Sequence, residues 1–387
     1  MWELVKKLTG IDCKREEAHP LRARICVLEV FIRKRSLCLT REDILSEYRR
    51  GGKGHLNKVL KHLEDVGILK REGLYYCLTL AGLAITQADP PCPILYLAGA
   101  DRALQVAMHS GIHPLNWLLS AGRYWNGGRF KWSEDFKMAR SLGGSLFLDS
   151  GAQQFFSKFR DRYPYTPAQY LDFAVNVVGA DLIATLDLPL DILTPRGLPV
   201  AEGIRKTVEY GVEVAALAEE LDVLGRVVPV LQGFDDPSQW LESLDLYKQH
   251  GVTPQRFKLW GVGSICMMRS PRAVERVLSA VKKALGDAKI HVFGISMNAL
   301  RRVYPLIDSY DTAVWVYWAK KDGAVLVWSR RRGAFIHLQA RDGKRYPTED
   351  LMEVNLRQLA EMHQDLCKKA GKKDVAGEAA ETTMPNR

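Results

Sequence analysis

Short apolar, β-branched runs alternate with helix-like stretches through the middle of the chain. The runs are ILYLAG (94–99), NWLLSA (116–121), SLFLDS (145–150), ADLIATLD (180–187), RVVPVLQG (226–233), RFKLWGVG (256–263), KIHVFGI (289–295) and DTAVWV (311–316). Helical patterns separate most of them. TPAQYLDFAVNVV places Thr166 as an N-cap and Pro167 at the first helical position, and PRAVERVLSAVKKAL opens with Pro271 in that same first position. Strands alternating with helices predict a (β/α)8 TIM-type barrel, with a doubly wound open sheet as the rival. In a barrel, residues just past the strand C-termini all face one mouth.

The N-terminal pattern is different. LRARICVLEVFIRKRS (21–36) carries a helical face of Ile25, Leu28 and Ile32. Thr40 begins a second helix with Asp43 three residues on, close to a capping box. In LNKVLKHLEDVGIL the apolar face is Leu56, Val59, Leu60 and Leu63, with Lys58, Lys61 and His62 outside it. KREGLYYCLTLAGLAI then reads as a hairpin turning at Glu72-Gly73, followed by a short helix. This order resembles a winged helix-turn-helix domain. The resemblance implies nucleic-acid contacts by Lys58 and Lys61 on the third helix, with a packing or dimerising adaptor as the bland alternative. Asp89-Pro90-Pro91-Cys92-Pro93 is the clearest linker, because proline blocks both helix and central strand. The expected domains are therefore 1–90, a barrel over 91–343, a C-terminal helix over 344–371 and a disordered tail over 372–387.

Composition narrows the partners. The chain has 387 residues and a formal net charge of +10, which favours phosphate backbones. Seven cysteines are scattered without a CxxC pair, which argues against a disulfide framework and a zinc ribbon. No apolar run approaches membrane-spanning length and the first residues form no secretory apolar region, so no membrane partner and a cytoplasmic location are expected.

The candidate chemistry sits at the strand ends. Asp149-Ser150-Gly151 follows SLFL, Asp187 follows DLIATL, Gln232-Gly233 follows VVPVL, and Gly261 and Gly263 lie in WGVGSI. Asp311 is expected at the start of the last strand, with the apolar TAVWV after it. Carboxylates facing across a pocket suit glycosidic chemistry, one attacking the anomeric carbon and the other managing the leaving group's proton. Asp187 can accept N–H bonds from a guanine-like edge, and Gln232 can offer an amide to it. Arg330, Arg331 and Arg332 are candidates for phosphate contact, with a solvated charged turn as the alternative.

At these residues the chain resembles the tRNA-guanine transglycosylase superfamily. The family's DSGGFQ motif is similar to Asp149-Ser150-Gly151-Ala152-Gln153-Gln154, its base-reading aspartate to Asp187, and its QGG to Gln232-Gly233-Phe234. Its glycine-rich strand end is matched in part by Gly261-Val262-Gly263-Ser264, and its nucleophile by Asp311 in Asp308-Ser309-Tyr310-Asp311. The family's zinc motif, CxCxxC with a distant histidine, is absent; after Asp311 only Cys367, His337 and His363 remain, and Cys266 and His291 are too few to replace it. No metal and no cofactor are therefore expected. GVGSIC and the shortened end look most like the DNA-modifying branch, deoxypurine in DNA protein A (DpdA).

That resemblance implies a pentosyltransferase. It exchanges guanine in DNA for a 7-deazaguanine, the type of base found in queuosine and archaeosine, with Asp311 as nucleophile and Asp149 as proton shuttle. Ser150, Asp187, Gln232, Gly233, Gly261 and Gly263 form the base pocket. DNA is the expected polymer and tRNA the alternative; a homodimer or accessory modification proteins stay open as partners. A DNA-binding regulator with an inactive barrel is the reading from another class, and the retention of both Asp149 and Asp311 argues against it.

Overall fold

The computed structural model describes residues 27, 30, 38–47, 52–65, 69–72, 74–78, 92–112, 114–157, 162–268, 270–329, 331–332, 334–338 and 346–381. The chain divides into two units. One is Met1–Pro90 with Ile112–Leu115 and Leu142–Gly144, and the other is Pro91–Gly111, Asn116–Ser141 and Ser145–Arg387.

In the first unit, β1 (Cys38–Thr40) leads into α1 (Arg41–Glu47), followed by α2 (Gly52–Asp65), β2 (Leu69–Glu72) and β3 (Tyr75–Leu78). The capping box expected at Thr40 forms in both directions. Thr40 N–H donates to Asp43 Oδ2 and Asp43 N–H donates to Thr40 Oγ1, each at 3.1 Å. Leu56, Val59, Leu60 and Leu63 bury one face of α2, while Lys58 and Lys61 are exposed. The strands pair antiparallel in the order β1–β3–β2. Of the helix expected over 21–36, Val27 and Val30 are described, both helical and fully buried. Ile25, Leu28, Ile32 and the short helix expected after the hairpin lie outside the described residues.

From Pro91 on, the chain is built around a parallel sheet. Its early elements are β4 (Ile94–Ala98), α3 (Arg102–His109), β5 (Leu115–Ser120), α4 (Glu134–Ser141), β6 (Gly143–Asp149), α5 (Ala152–Phe156), α6 (Pro167–Asp172) and β7 (Leu182–Ala184). After them come α7 (Val200–Glu220), β8 (Val227–Val228), β9 (Val230–Leu231), α8 (Pro237–Gln249), β10 (Leu259–Val262), α9 (Pro271–Leu285), β11 (Lys289–Val292), α10 (Met297–Val303) and β12 (Ser309–Thr312). The helix starts follow their local chemistry. Thr166 and Gln169 close a capping box ahead of Pro167, and Ser270 caps α9 at Pro271.

The sheet order is β8–β7–β6–β5–β4–β12–β11–β10–β9. Its two edges are the two halves of one stretch, 227–231, divided at Pro229, which has no N–H to continue the ladder. Val228 pairs with Ala184 on one side and Val230 with Gly261 on the other. Val230 N–H instead donates to Thr185 Oγ1 at 3.0 Å, and Gly261 N–H donates to Pro229 O at 2.8 Å. The result is a nearly closed, barrel-like parallel sheet, compatible with a TIM-type barrel. Tyr96, Leu118, Phe147, Ala184, Val228 and Val230, drawn from successive strands, fill its interior.

One expected element is corrected. DTAVWV is not a strand: β12 ends at Thr312, and Val314–Asp322 is a helix, α11. Trp315, Val316 and Ala319 are buried while Tyr317 and Lys320 are exposed, a helical spacing that a β-branched run concealed. Gly323, at φ 57°, ends it in the left-handed conformation. Asp311 therefore stands near the end of its strand, not at the start. Beyond it, β13 (Val325–Ser329) and β14 (Ala334–Leu338) pair antiparallel, and α12 covers Thr348–Glu381. That helix runs into the stretch 372–387 expected to be a disordered tail; residues 382–387 lie outside the described ones. Buried Asn355 on α12 donates to Trp315 O and Ala324 O at 3.1 Å each and accepts from Leu326 N–H at 2.6 Å, fixing helix, loop and strand together. Cys92 and Cys367 pair as a disulfide, although the scattered cysteines suggested no framework. Among the described residues, no helix is long and apolar enough to cross a membrane.

Candidate active site

Three carboxylates reach one end of the parallel sheet because each ends, or closely follows, a strand. Asp149 closes β6, Asp187 lies three residues past β7, and Asp311 is the third residue of the four-residue β12. Asp187 and Asp311 are each 8 % exposed, so all but a small part of each residue is out of water. A carboxylate so placed needs hydrogen-bond partners, and each has them.

Asp149 Oδ2 lies 3.1 Å from Ser120 Oγ at the end of β5 and accepts from Gly151 N–H at 3.3 Å. The Ser120 hydroxyl also lies 2.7 Å from Gln154 Oε1, so one proton is shared between two acceptors. Burial, then the negative charges of Asp187 and Asp311, push the Asp149 carboxyl up to about 7. Gly151 sits at φ 82°, and a Cβ there would lie 2.3 Å from Gly122 N, so only glycine lets the turn pass the 121–122 backbone.

Asp187 is the centre of a second network. Its Oδ1 accepts from Ser150 Oγ–H at 2.7 Å, and its Oδ2 accepts from Gln232 Nε2. Gln232 Oε1 in turn accepts from Ser264 Oγ–H, whose oxygen receives Leu190 N–H at 2.9 Å and Asp191 N–H at 3.3 Å. Burial raises the Asp187 carboxyl to about 6, while the bonds from Ser150 and Gln232 pull the other way. Tyr163 OH donates to Asp187 O at 2.7 Å and receives Asp187 N–H at 3.2 Å, so the backbone under the carboxylate is held as well.

Gly263 is explained by the same network: a Cβ there would sit 2.3 Å from Gln232 Nε2. The lack of a side chain is what lets the amide lie against the strand end. At Gly261 a Cβ would meet the Phe293 ring at 2.5 Å, and at Gly233 the Trp240 ring at 2.5 Å. These two glycines thus make room for aromatic side chains.

Asp311 Oδ1 accepts from Gly294 N–H at 2.8 Å and lies 3.5 Å from His291 Nε2. Asp308, its neighbour in the motif, is directed elsewhere. Its Oδ2 accepts from Lys282 Nζ at 2.7 Å and from Ile290 N–H at 2.8 Å, at the opposite end of β12.

Every strand-end residue expected from the sequence is therefore in this region. Arg331 and Arg332 are exposed on the turn between β13 and β14, where Arg301 donates to Arg332 O at 3.0 Å. Arg330 lies outside the described residues, and Lys58 and Lys61 belong to the other unit. Sequence reasoning missed Ser120, Tyr163, Ser264 and His291 as parts of the site. Only Ser264 carried a signal, as the polar residue closing Gly261-Val262-Gly263.

Part of the chain has a counterpart among known families. Residues 146–333 match the family model DpdA, deoxypurine in DNA protein A. This is a tRNA-guanine transglycosylase-like family, and the DpdA-matched stretch holds Asp149, Ser150, Asp187, Gln232, Gly261, Gly263 and Asp311. No curated protein matches the chain in sequence. The DpdA match supports a DNA-modifying, transglycosylase-like function.

The zinc of the related tRNA enzymes does not fit the described residues. No three His, Cys, Asp or Glu side chains among them are grouped to hold a metal ion. Cys92 is paired with Cys367, Cys266 Sγ lies 2.9 Å from Asp191 Oδ2, and His363 faces the Tyr304 and Tyr310 hydroxyls.

Proposed function

We propose that this chain is a base-exchanging pentosyltransferase that replaces guanine in DNA with a 7-deazaguanine through a covalent glycosyl-enzyme. The observation that carries the reading is the trio of strand-end carboxylates in unlike environments. One is raised to about 7, one is tied into an amide network, and one has a carboxylate oxygen with no hydrogen bond among the described residues.

The roles follow from those environments. Asp311 attacks C1′ of a deoxyguanosine as the C1′–N9 bond breaks. Asp149, protonated, gives its proton to the departing guanine. The incoming base returns a proton to Asp149 as its nitrogen attacks C1′ and the ester to Asp311 breaks, so the enzyme ends as it began. A carboxyl near neutrality is suited to both halves of that cycle. Asp187, Gln232 and Ser150 receive the flat polar edge of either base, with the strand end at Gly261–Gly263 beside them. The parallel sheet is read here as a (β/α)8 barrel, and the N-terminal unit as a winged helix that contacts nucleic acid through Lys58 and Lys61. Arg330, Arg331 and Arg332 are assigned to phosphate contact. Flipping the target nucleotide costs on the order of a few kcal/mol, which such basic contacts offset.

The test is release of labelled guanine from an oligonucleotide together with a denaturant-resistant protein–DNA adduct. Asp311→Asn should abolish both while keeping the fold. Asp308→Asn should retain both, because its carboxylate serves Lys282 and the β11 backbone. The reverse pattern would move the nucleophile to Asp308, and exchange on tRNA alone would move the substrate to RNA.

A further inference from the structure

His291 is fully buried on β11, in register between Gly261 and Ser309 on the flanking strands. Aromatic edges surround it: its ring centroid is 4.5 Å from Phe293, 4.7 Å from Phe147 and 5.6 Å from Tyr96. The interior of such a sheet is an expensive place for an imidazole without a task. Nδ1 lies 2.9 Å from Ser309 Oγ. Nε2 is buried and has no hydrogen-bond partner among the described residues, and Asp311 Oδ1 is 3.5 Å away.

The tautomer follows from the neighbours. A serine hydroxyl can donate or accept, whereas a carboxylate only accepts. If Nδ1 carried the proton, the lone pair of Nε2 would face the carboxylate. With Ser309 Oγ–H donating to Nδ1, the proton sits on Nε2 and points at Asp311. Burial pulls the ring's pKa below the ordinary histidine value, against the opposing pull of Asp311, so the ring is neutral near pH 7.

The geometry points to His291 as a positioning residue that tethers Oδ1 of Asp311 from beneath, together with Gly294 N–H, and leaves Oδ2 as the reacting oxygen. Oδ1 already accepts from Gly294 at 2.8 Å, and Oδ2 accepts no hydrogen bond among the described residues. The tether rests on the Proposed function only in naming Oδ2 as the nucleophilic atom. A neutral N–H suits that role, because it fixes the carboxylate without cancelling the charge that attacks C1′. The 3.5 Å separation tightens when Asp311 meets substrate, as hydrogen bonds at catalytic groups do.

Two measurements test it. In protein labelled with ¹⁵N-histidine, the His291 resonances, assigned by their loss in His291→Gln, should report a neutral ring with the proton on Nε2. They should shift in Asp311→Asn, and in Ser309→Ala the tautomer preference should weaken. In single-turnover assays, His291→Phe keeps the aromatic packing and should slow adduct formation about ten- to a hundredfold, as loss of an outer-shell partner does. Its affinity for the free base should stay unchanged. His291→Gln, with an amide N–H at the same reach, should restore most of the rate. A ring protonated on Nδ1, a cationic ring at pH 7, or equal rates in His291→Phe and wild type would each overturn the tether. If wild type forms no adduct while the resonance still responds to Asp311→Asn, the tether stands and the transglycosylase reading fails.

Discussion

Replacing Asp149 with asparagine should change how stability depends on pH, and the direction can be worked out from the site. In the unfolded chain this carboxyl titrates near its ordinary 3.8, and in the folded protein burial and the charges of Asp187 and Asp311 hold it at about 7. The folded state therefore binds the extra proton between those values, and stability falls as pH rises through the window. The rise from 3.8 to about 7 corresponds to about 4 kcal/mol in all, of which about 3 kcal/mol is lost between about pH 5 and pH 8. Asparagine has no proton to lose, so Asp149→Asn escapes this loss. Asp187, raised to about 6, still contributes a smaller decline in both proteins. Thermal unfolding of the two proteins at about pH 5 and pH 8 should show the difference between their midpoints moving by about 6 °C in favour of the variant, at about 2 °C per kcal/mol. The same variant should lose about a hundred- to ten-thousandfold in base exchange, since it can no longer carry the proton. A midpoint difference that stays constant across this pH range would refute the claim that Asp149 is held protonated by its surroundings.

Other changes separate the remaining assignments. Asp187→Ala should reduce guanine exchange far more than Asp172→Ala, an exposed aspartate on α6, because each donor left unpaired costs about 1–3 kcal/mol; equal exchange would make Asp187 a turn residue. Neutralising Lys58 and Lys61 to alanine should weaken binding across DNA sequences and flatten its salt dependence, and an unchanged salt slope would favour the adaptor reading of the N-terminal unit. Elemental analysis of protein purified without added metal should find well under one zinc per chain; stoichiometric zinc that leaves only on unfolding would reveal a site outside the groups considered above.

The local features were legible because they depend on few neighbours. The expected starts at Thr40, Thr166 and Pro271 were all found, since a cap and its partner lie within one turn. Seven of the eight expected strand runs contain a strand, because β-branched runs bounded by polar residues carry their own signal. The eighth failed for a physical reason. In DTAVWV the apolar residues are compatible with either period, and the burial of Trp315 against Trp117, with Asn355 holding its carbonyl, decides for the helix. That boundary moved Asp311 from the start of a strand to near its end, where it joins Asp149 and Asp187.

What the sequence by itself determined was the set of strand-end residues and their order along the chain. Tertiary structure decided how they are used. Ser264 reaches Gln232 from the neighbouring strand end, Ser120 reaches Asp149 across β5 and β6, and His291 meets Ser309 and Asp311 through the β11–β12 register. These partners are separated by between 18 and 32 residues in sequence. No local pattern encodes such a pairing, because the alignment of neighbouring strands is set by how the whole sheet closes. The same closure takes the carboxylates out of water, and it is burial in the folded site that turns Asp149 from an ordinary acid into one poised near neutrality.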